Sequence, residues 1–188
     1  LIWITAEGRL DTTRVHRKAN GDLMRIRELS DGKFIIGGAM NIYDGHPVGG
    51  IIRIWPDGEL DTTFQTTSSW LWPFSFLPLD NGKVLCTGAM RFTGIDDTLH
   101  VVRLLADGSL DPTFNSMTGY TASFNTNNLA GVESIFPLGP DRYIVTGYFD
   151  AVEGQERGGI ALIDSAGNLH DELFAEGGCG TFWDGFST

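Results

Sequence analysis

Asp57-Gly58-Glu59-Leu60-Asp61-Thr62-Thr63-Phe64 recurs in recognisable form on both sides of itself, at a fixed distance. Glu7-Gly8-Arg9-Leu10-Asp11-Thr12-Thr13 stands 50 residues earlier, and Asp107-Gly108-Ser109-Leu110-Asp111-Pro112-Thr113-Phe114 stands 50 later. Ala166-Gly167-Asn168-Leu169-His170-Asp171-Glu172-Leu173-Phe174 follows a further 59 on. Self-similarity at such a period is the mark of a repeat architecture.

The residues between the copies repeat as well. Asp31-Gly32-Lys33 has its counterpart in Asn81-Gly82-Lys83, Gly37-Gly38-Ala39-Met40 in Thr87-Gly88-Ala89-Met90, and Ile51-Ile52-Arg53-Ile54 in Val101-Val102-Arg103-Leu104. The third copy offers Pro140-Asp141-Arg142, Thr146-Gly147-Tyr148-Phe149 and Ile160-Ala161-Leu162-Ile163. Each unit reads as four strands joined by turns. Asp-Gly and Asn-Gly supply the positive φ of a tight hairpin, and short β-rich runs flank them. In the first full unit the strands fall near 23–29, with apolar residues at 24, 26 and 29, then 34–41, 51–55 and 59–64. The run 34–41 is largely apolar, as a strand covered on both faces should be. The predicted organisation is a partial unit over 1–13, full units over 14–64, 65–114 and 115–174, and the start of another over 175–188, with a strand expected at Thr181-Phe182-Trp183. The nine extra residues of the third unit fall within 115–129.

A single meander of this kind cannot cover both its faces, so neighbours must stack face to face. The predicted fold is therefore all-β: a β-propeller or partial propeller of four-stranded antiparallel blades of about 50 residues, within the range of propeller repeats. Three full units and two partial ones leave the ring incomplete. The expectation is a fragment of a longer propeller, or a ring completed by another chain, since open strand edges invite pairing.

Two motifs recur in order in the central units: Asp/Asn-Gly-Lys before a strand ending in Gly-Gly or Thr-Gly, and Ile-Ile-Arg-Ile-x-x-Asp-Gly-x-Leu-Asp-x-Thr-Phe. Together they resemble the delta-60 repeat family of propeller-like proteins. The resemblance covers nearly the whole chain. It departs in the third unit, where Ala166 replaces the turn Asp and Leu162 the strand arginine. It implies a propeller-like fold and an environment on bacterial secreted or surface proteins or phage virions, but no reaction.

Composition narrows the partners. With 13 basic and 24 acidic side chains the net charge is −11, a field that repels phosphate backbones and anionic lipid. Nucleic acid and membrane insertion are thus not expected, and the longest apolar runs fall short of a membrane span. Cys86 sits in a strand pattern as a small buried residue, and Cys179 lies among glycines near the end.

The repeated polar residues read as scaffold. Asp57 and Asp107 shape their turns, while Asp61 and Asp111 cap the bend that follows by accepting backbone N–H groups. Their spacing is not that of a calcium loop. The third unit is read as losing the first Asp to Ala166 but keeping Asp171. Arg53 and Arg103 are expected to pair with Asp61 and Asp111 across the hairpin. The four histidines take different places in the repeat, and no metal or cofactor site is read.

Strand direction puts all tight turns on one face and the variable loops with the inter-unit connectors on the other, where binding usually resides. The candidate binding residues there are Tyr43, His46, Trp70, Trp72, Asp96, Asp97 and Tyr120. Trp70 and Trp72 are candidates for an aromatic platform for sugar or protein, while Phe74 and Phe76 match Met24 and Ile26 as core. The predicted function is a non-enzymatic binding or structural module of a virion, such as a phage tail or fibre, or of a bacterial cell-surface assembly. Its partners would be other protein chains and surface glycan, in an extracellular or virion setting. The alternative is a polysaccharide lyase or glycosidase using Asp44, Asp96, Asp97 and Glu153, which requires two carboxylates at a fixed separation.

Overall fold

The computed structural model describes residues 1–123, 129–175 and 177–179, with the backbone only at Trp70 and Leu71. Among these residues there is no helix. The expected strand at Thr181–Trp183, and Phe124 in the enlarged connector, lie outside the described residues.

In the first full unit, β1 (Leu23–Glu28) pairs with β2 (Phe34–Gly38). The short hairpin of β3 (Ile42–Tyr43) and β4 (His46–Pro47) follows, and β5 (Ile51–Ile54) then returns beside β2. The second unit pairs β6 (Ser68–Pro78), β7 (Val84–Phe92) and β8 (Leu99–Leu104) in the same order. In the third, β9 (Tyr120–Thr121) precedes β10 (Gly131–Pro137) and β11 (Arg142–Tyr148). The hairpin of β12 (Ala151–Val152) and β13 (Gln155–Gly158) leads to β14 (Ile160–Asp164) and β15 (Leu169–His170), and β16 (Gly177–Gly178) runs parallel to β13. All neighbours within the three main sheets are antiparallel.

The fourth strand is shorter than the pattern predicts. In the first two full units only Leu60 and Leu110 bridge, to Ile54 and Leu104. The chain leaves the sheet there because the carboxylates of Asp61 and Asp111 bend it: Thr63 N–H donates to Asp61 Oδ1 over 3.1 Å and Thr113 N–H to Asp111 Oδ1 over 2.9 Å.

One irregularity recurs in all three units. Each first strand carries a bulge, between Leu23 and Arg25, Pro73 and Ser75, and Val132 and Ser134. Opposite it stand Gly38, Gly88 and Gly147, where a Cβ would lie 1.9, 2.2 and 2.2 Å from the carbonyl oxygens of Asp22, Trp72 and Gly131. The Gly-Gly and Thr-Gly motifs therefore mark a close backbone approach that excludes any side chain.

The units stack with a fixed sense. Ile35, Ile51 and Phe64 of the first full unit pack against Phe76, Val84, Cys86, Val102 and Leu104 of the second. Leu85, Val101 and Phe114 of the second pack against Val132, Ile135, Val145, Ala161 and Ile163 of the third. Leu1 of the N-terminal hairpin, which is closed by an Ile4–Leu10 bridge, joins the cluster of Ile36, Met40, Ile52 and Ile54. Each unit thus buries one face against the next and the other against the one before. Ile26 departs from expectation: its counterparts Phe76 and Ile135 are buried, but Ile26 is 55% exposed, because no first strand of a preceding unit lies over it among the described residues.

Candidate functional site

The recurrent charged residues converge on the joints between units. Arg53 Nε donates to Asp61 Oδ2 over 2.7 Å, Nη2 to Thr63 Oγ1 over 3.2 Å, and Nη1 to the carbonyl of Ala106 in the next unit over 2.8 Å. Lys33 Nζ reaches the same Asp61 oxygen over 3.0 Å. The second unit repeats this set. Arg103 bonds Asp111 over 2.7 Å, Thr113 over 3.0 Å and the Ser165 carbonyl over 2.6 Å, and Lys83 bonds Asp111 over 2.8 Å. Each guanidinium also sits 4.9 Å over a phenylalanine ring, Phe64 or Phe114. Beside the clasp, Gln65 N–H donates to the Asp107 carbonyl and Asn115 N–H to that of Ala166.

Burial alone would raise the Asp61 and Asp111 carboxyls. Hydrogen bonds from the threonine, lysine and arginine outweigh it and hold both well below the usual carboxylate range. The expected Arg–Asp pairing and the capping role of these carboxylates are both present. The link to the following unit was not legible, because nothing in the spacing of Arg53 shows that its second nitrogen reaches a carbonyl 53 residues away.

The third unit lacks the clasp, and its cap is one residue earlier than the sequence suggested. Leu162 pairs with His170 in the position where Arg103 meets Asp111. His170 Nδ1 accepts from Glu172 N–H over 3.4 Å. Asp171 is instead exposed and bonds Arg157 Nη2 over 2.6 Å. Arg142, standing where Lys83 stands, pairs with Glu172 at the surface.

The loop face brings some predicted residues to the surface and hides others. Tyr43 is fully buried, its hydroxyl donating to the Gly58 carbonyl over 2.8 Å, and burial pushes its pKa up to about 12. Tyr120 is also buried, edge-on to Phe149 at 5.3 Å and to His100 at 5.6 Å, and burial next to Glu153 raises its phenol. Both are corrected from ligand contacts to core, because connector and loop pair edge to edge (Ala19 with Tyr43, Tyr120 with Val152) and fold the rings inward. Arg157, in β13, is buried as well.

His46, Asp96 and Asp97 are exposed, and Trp72 is half exposed. Trp70 pairs through its backbone with Arg91, and its side chain lies outside the description. His46 lines a cleft of about 550 Å³ between the 46–49 loop and the 65–68 connector, with Gln65, Thr66, Thr67, Ser68 and Thr93 around it and no carboxylate in its wall. Of the four candidate acids, Asp44 and Glu153 occupy matching turn positions, with φ of 50° and 52°. Asp44 bonds Arg17 over 2.6 Å and Glu153 accepts from Gly119 N–H over 2.5 Å. These are the duties of turn residues. Cys86 is buried, which pushes its thiol up, and Cys179 is exposed; both are free. Among the described residues no group of three or more His, Cys, Asp or Glu is placed to hold a metal ion.

Residues 29–64 and 79–114 each match the family described as a domain of unknown function (DUF5122) beta-propeller. No curated protein and no solved structure matches the chain. The matched stretches run from the first hairpin turn to the capped bend of the two central units, so two repeats of this all-β chain are similar to a β-propeller-like repeat family.

Proposed function

We propose that the chain is a non-enzymatic binding and structural module whose rigid stack of units presents the loop face to a partner. One observation carries this reading: the charged residues that recur from unit to unit are spent on the joints, where Arg53 and Arg103 reach carbonyls of the next unit. Two of the four candidate acids are engaged in turns. What faces solvent on the loop side includes a cleft of hydroxyl and apolar side chains with His46 in its wall and no carboxylate, the half-exposed Trp72, and the exposed Asp96 and Asp97. Such surfaces suit sugar or protein contact rather than proton transfer.

The setting that fits is a virion, such as a phage tail or fibre, or a bacterial cell-surface assembly; the motif resemblance and the acidic charge support it. Binding to a glycan array and to whole bacterial cells tests the reading. Trp72→Ala and His46→Ala are expected to lower binding at least tenfold, with the unfolding transition unchanged. Full retention of binding in both variants would remove the loop-face site.

A further inference from the structure

Two recesses occupy the same place in consecutive units, where the capped bend takes the chain away from the sheet. The cleft beside His46 is lined there by Leu60, Thr62, Phe64 and Thr67. A recess of about 490 Å³ in the second unit is lined by Leu110, Pro112, Phe114 and Met117, each 50 residues on. The leucine and the phenylalanine are kept, whereas Pro112 stands for Thr62 and Met117 for Thr67. The bend forms with or without those two hydroxyls, so the scaffold does not account for them.

The backbone in the wall of the first cleft is already satisfied by side chains. Gly50 N–H donates to Ser68 Oγ over 2.8 Å, Thr66 Oγ1 donates to the Ile51 carbonyl over 2.9 Å, and the two hydroxyls lie 3.2 Å apart. Thr93 Oγ1 donates to the Thr67 carbonyl over 3.0 Å, and Gln65 Nε2 to that of Thr62 over 3.1 Å. An extended peptide adding along a strand edge needs such backbone groups open, and here they are taken. Among the described residues, the Thr62 and Thr67 hydroxyls, the His46 ring nitrogens and Gln65 Oε1 make no hydrogen bond, and all four residues are exposed. They stand beside Pro47, Val48 and Leu60, and no Asp, Glu, Lys or Arg lines the cleft.

We infer that this cleft binds a neutral sugar of a glycan chain. The sugar hydroxyls exchange hydrogen bonds with Thr62, Thr67, His46 and Gln65, while its C–H face lies on Pro47, Val48 and Leu60. The volume of about 550 Å³ falls within the range of about 300–1,000 Å³ of small-ligand sites. A neutral sugar is favoured over a sialylated or sulfated one, because the net charge is −11 and Asp96 and Asp97 stand exposed in the loop that follows Thr93. This deepens the loop-face reading above and rests on it, naming the ligand class for one part of that face.

A glycan array carrying neutral, sialylated and sulfated oligosaccharides tests it, beside binding to whole bacterial cells. The protein is expected to bind neutral glycans. Thr62→Val and Thr67→Val, which exchange a hydroxyl for a methyl at exposed positions, should together weaken that binding at least tenfold with the unfolding transition unchanged. Met117→Ala, in the recess of the second unit, should leave it unchanged. Binding confined to the charged glycans would overturn the proposal, as would neutral-glycan binding that the paired threonine variants leave intact. Binding to cells with none to any glycan would overturn the sugar assignment in favour of a protein partner, while the loop-face reading would stand. Absence of binding to both would remove the loop-face reading as well.

Discussion

The joint between the second and third units and the edge of the third unit occupy the same place in the repeat and use different chemistry. At the joint, Arg103, Lys83 and Asp111 form a buried charged set tied to the Ser165 carbonyl. At the edge, Leu162 and His170 replace the arginine and the aspartate, and the remaining ion pair, Arg142 with Glu172, is at the surface. The capping geometry survives the exchange, since His170 accepts from the N–H two residues on as Asp111 does. The bend is thus a local requirement of each unit, whereas the clasp belongs to a contact between units. Arginine and aspartate disappear together in the third unit because either alone would be a buried charge without a partner.

The largest effect should come from breaking the clasp. Asp111→Ala leaves Arg103 and Lys83 facing each other without their shared anion, and is expected to cost about 3–5 kcal/mol in urea unfolding. His170→Ala removes one neutral hydrogen bond at the equivalent place, for which about 0.5–1.5 kcal/mol is expected. Equal losses would mean that the clasp adds nothing beyond the cap.

An intermediate effect should appear in acid. Because the folded-state pKa of Asp61 and Asp111 is lowered, their contribution is complete above the unfolded aspartate value of about 3.9 and is lost as pH falls below it toward the folded value. Wild-type stability should drop below about pH 4, and the gap between wild type and Asp61→Asn should narrow over the same range. A gap independent of pH would contradict the ionised clasp. The smallest effect belongs to Glu172→Gln, where loss of a surface pair should change stability by no more than about 1 kcal/mol.

Much of the scaffold was legible. The 50-residue period, the Asp-Gly turns, the doubly covered second strand and the Arg–Asp pairs all follow from residue type and spacing. The fourth strand was overread because Leu60 and Leu110 look like strand residues, while the aspartate that follows takes over the backbone. Ile26 was read as core from its phase, but burial depends on a neighbour that phase does not supply. Tyr43 and Tyr120 were misread because loop sequences do not show that connector and loop pair into an added layer. The shift from Asp171 to His170 was hidden by residue identity: an imidazole nitrogen can accept the same N–H as a carboxylate oxygen.

The clasp has a direction. Arg53 reaches forward to Ala106 and Arg103 forward to Ser165, so every tooth of this ratchet points toward higher residue numbers. A cassette copied from 65–114 and spliced in after Phe114 would find a guanidinium waiting behind it and a turn carbonyl ahead. The array can therefore be lengthened from within, one whole period at a time, without redesigning either neighbour.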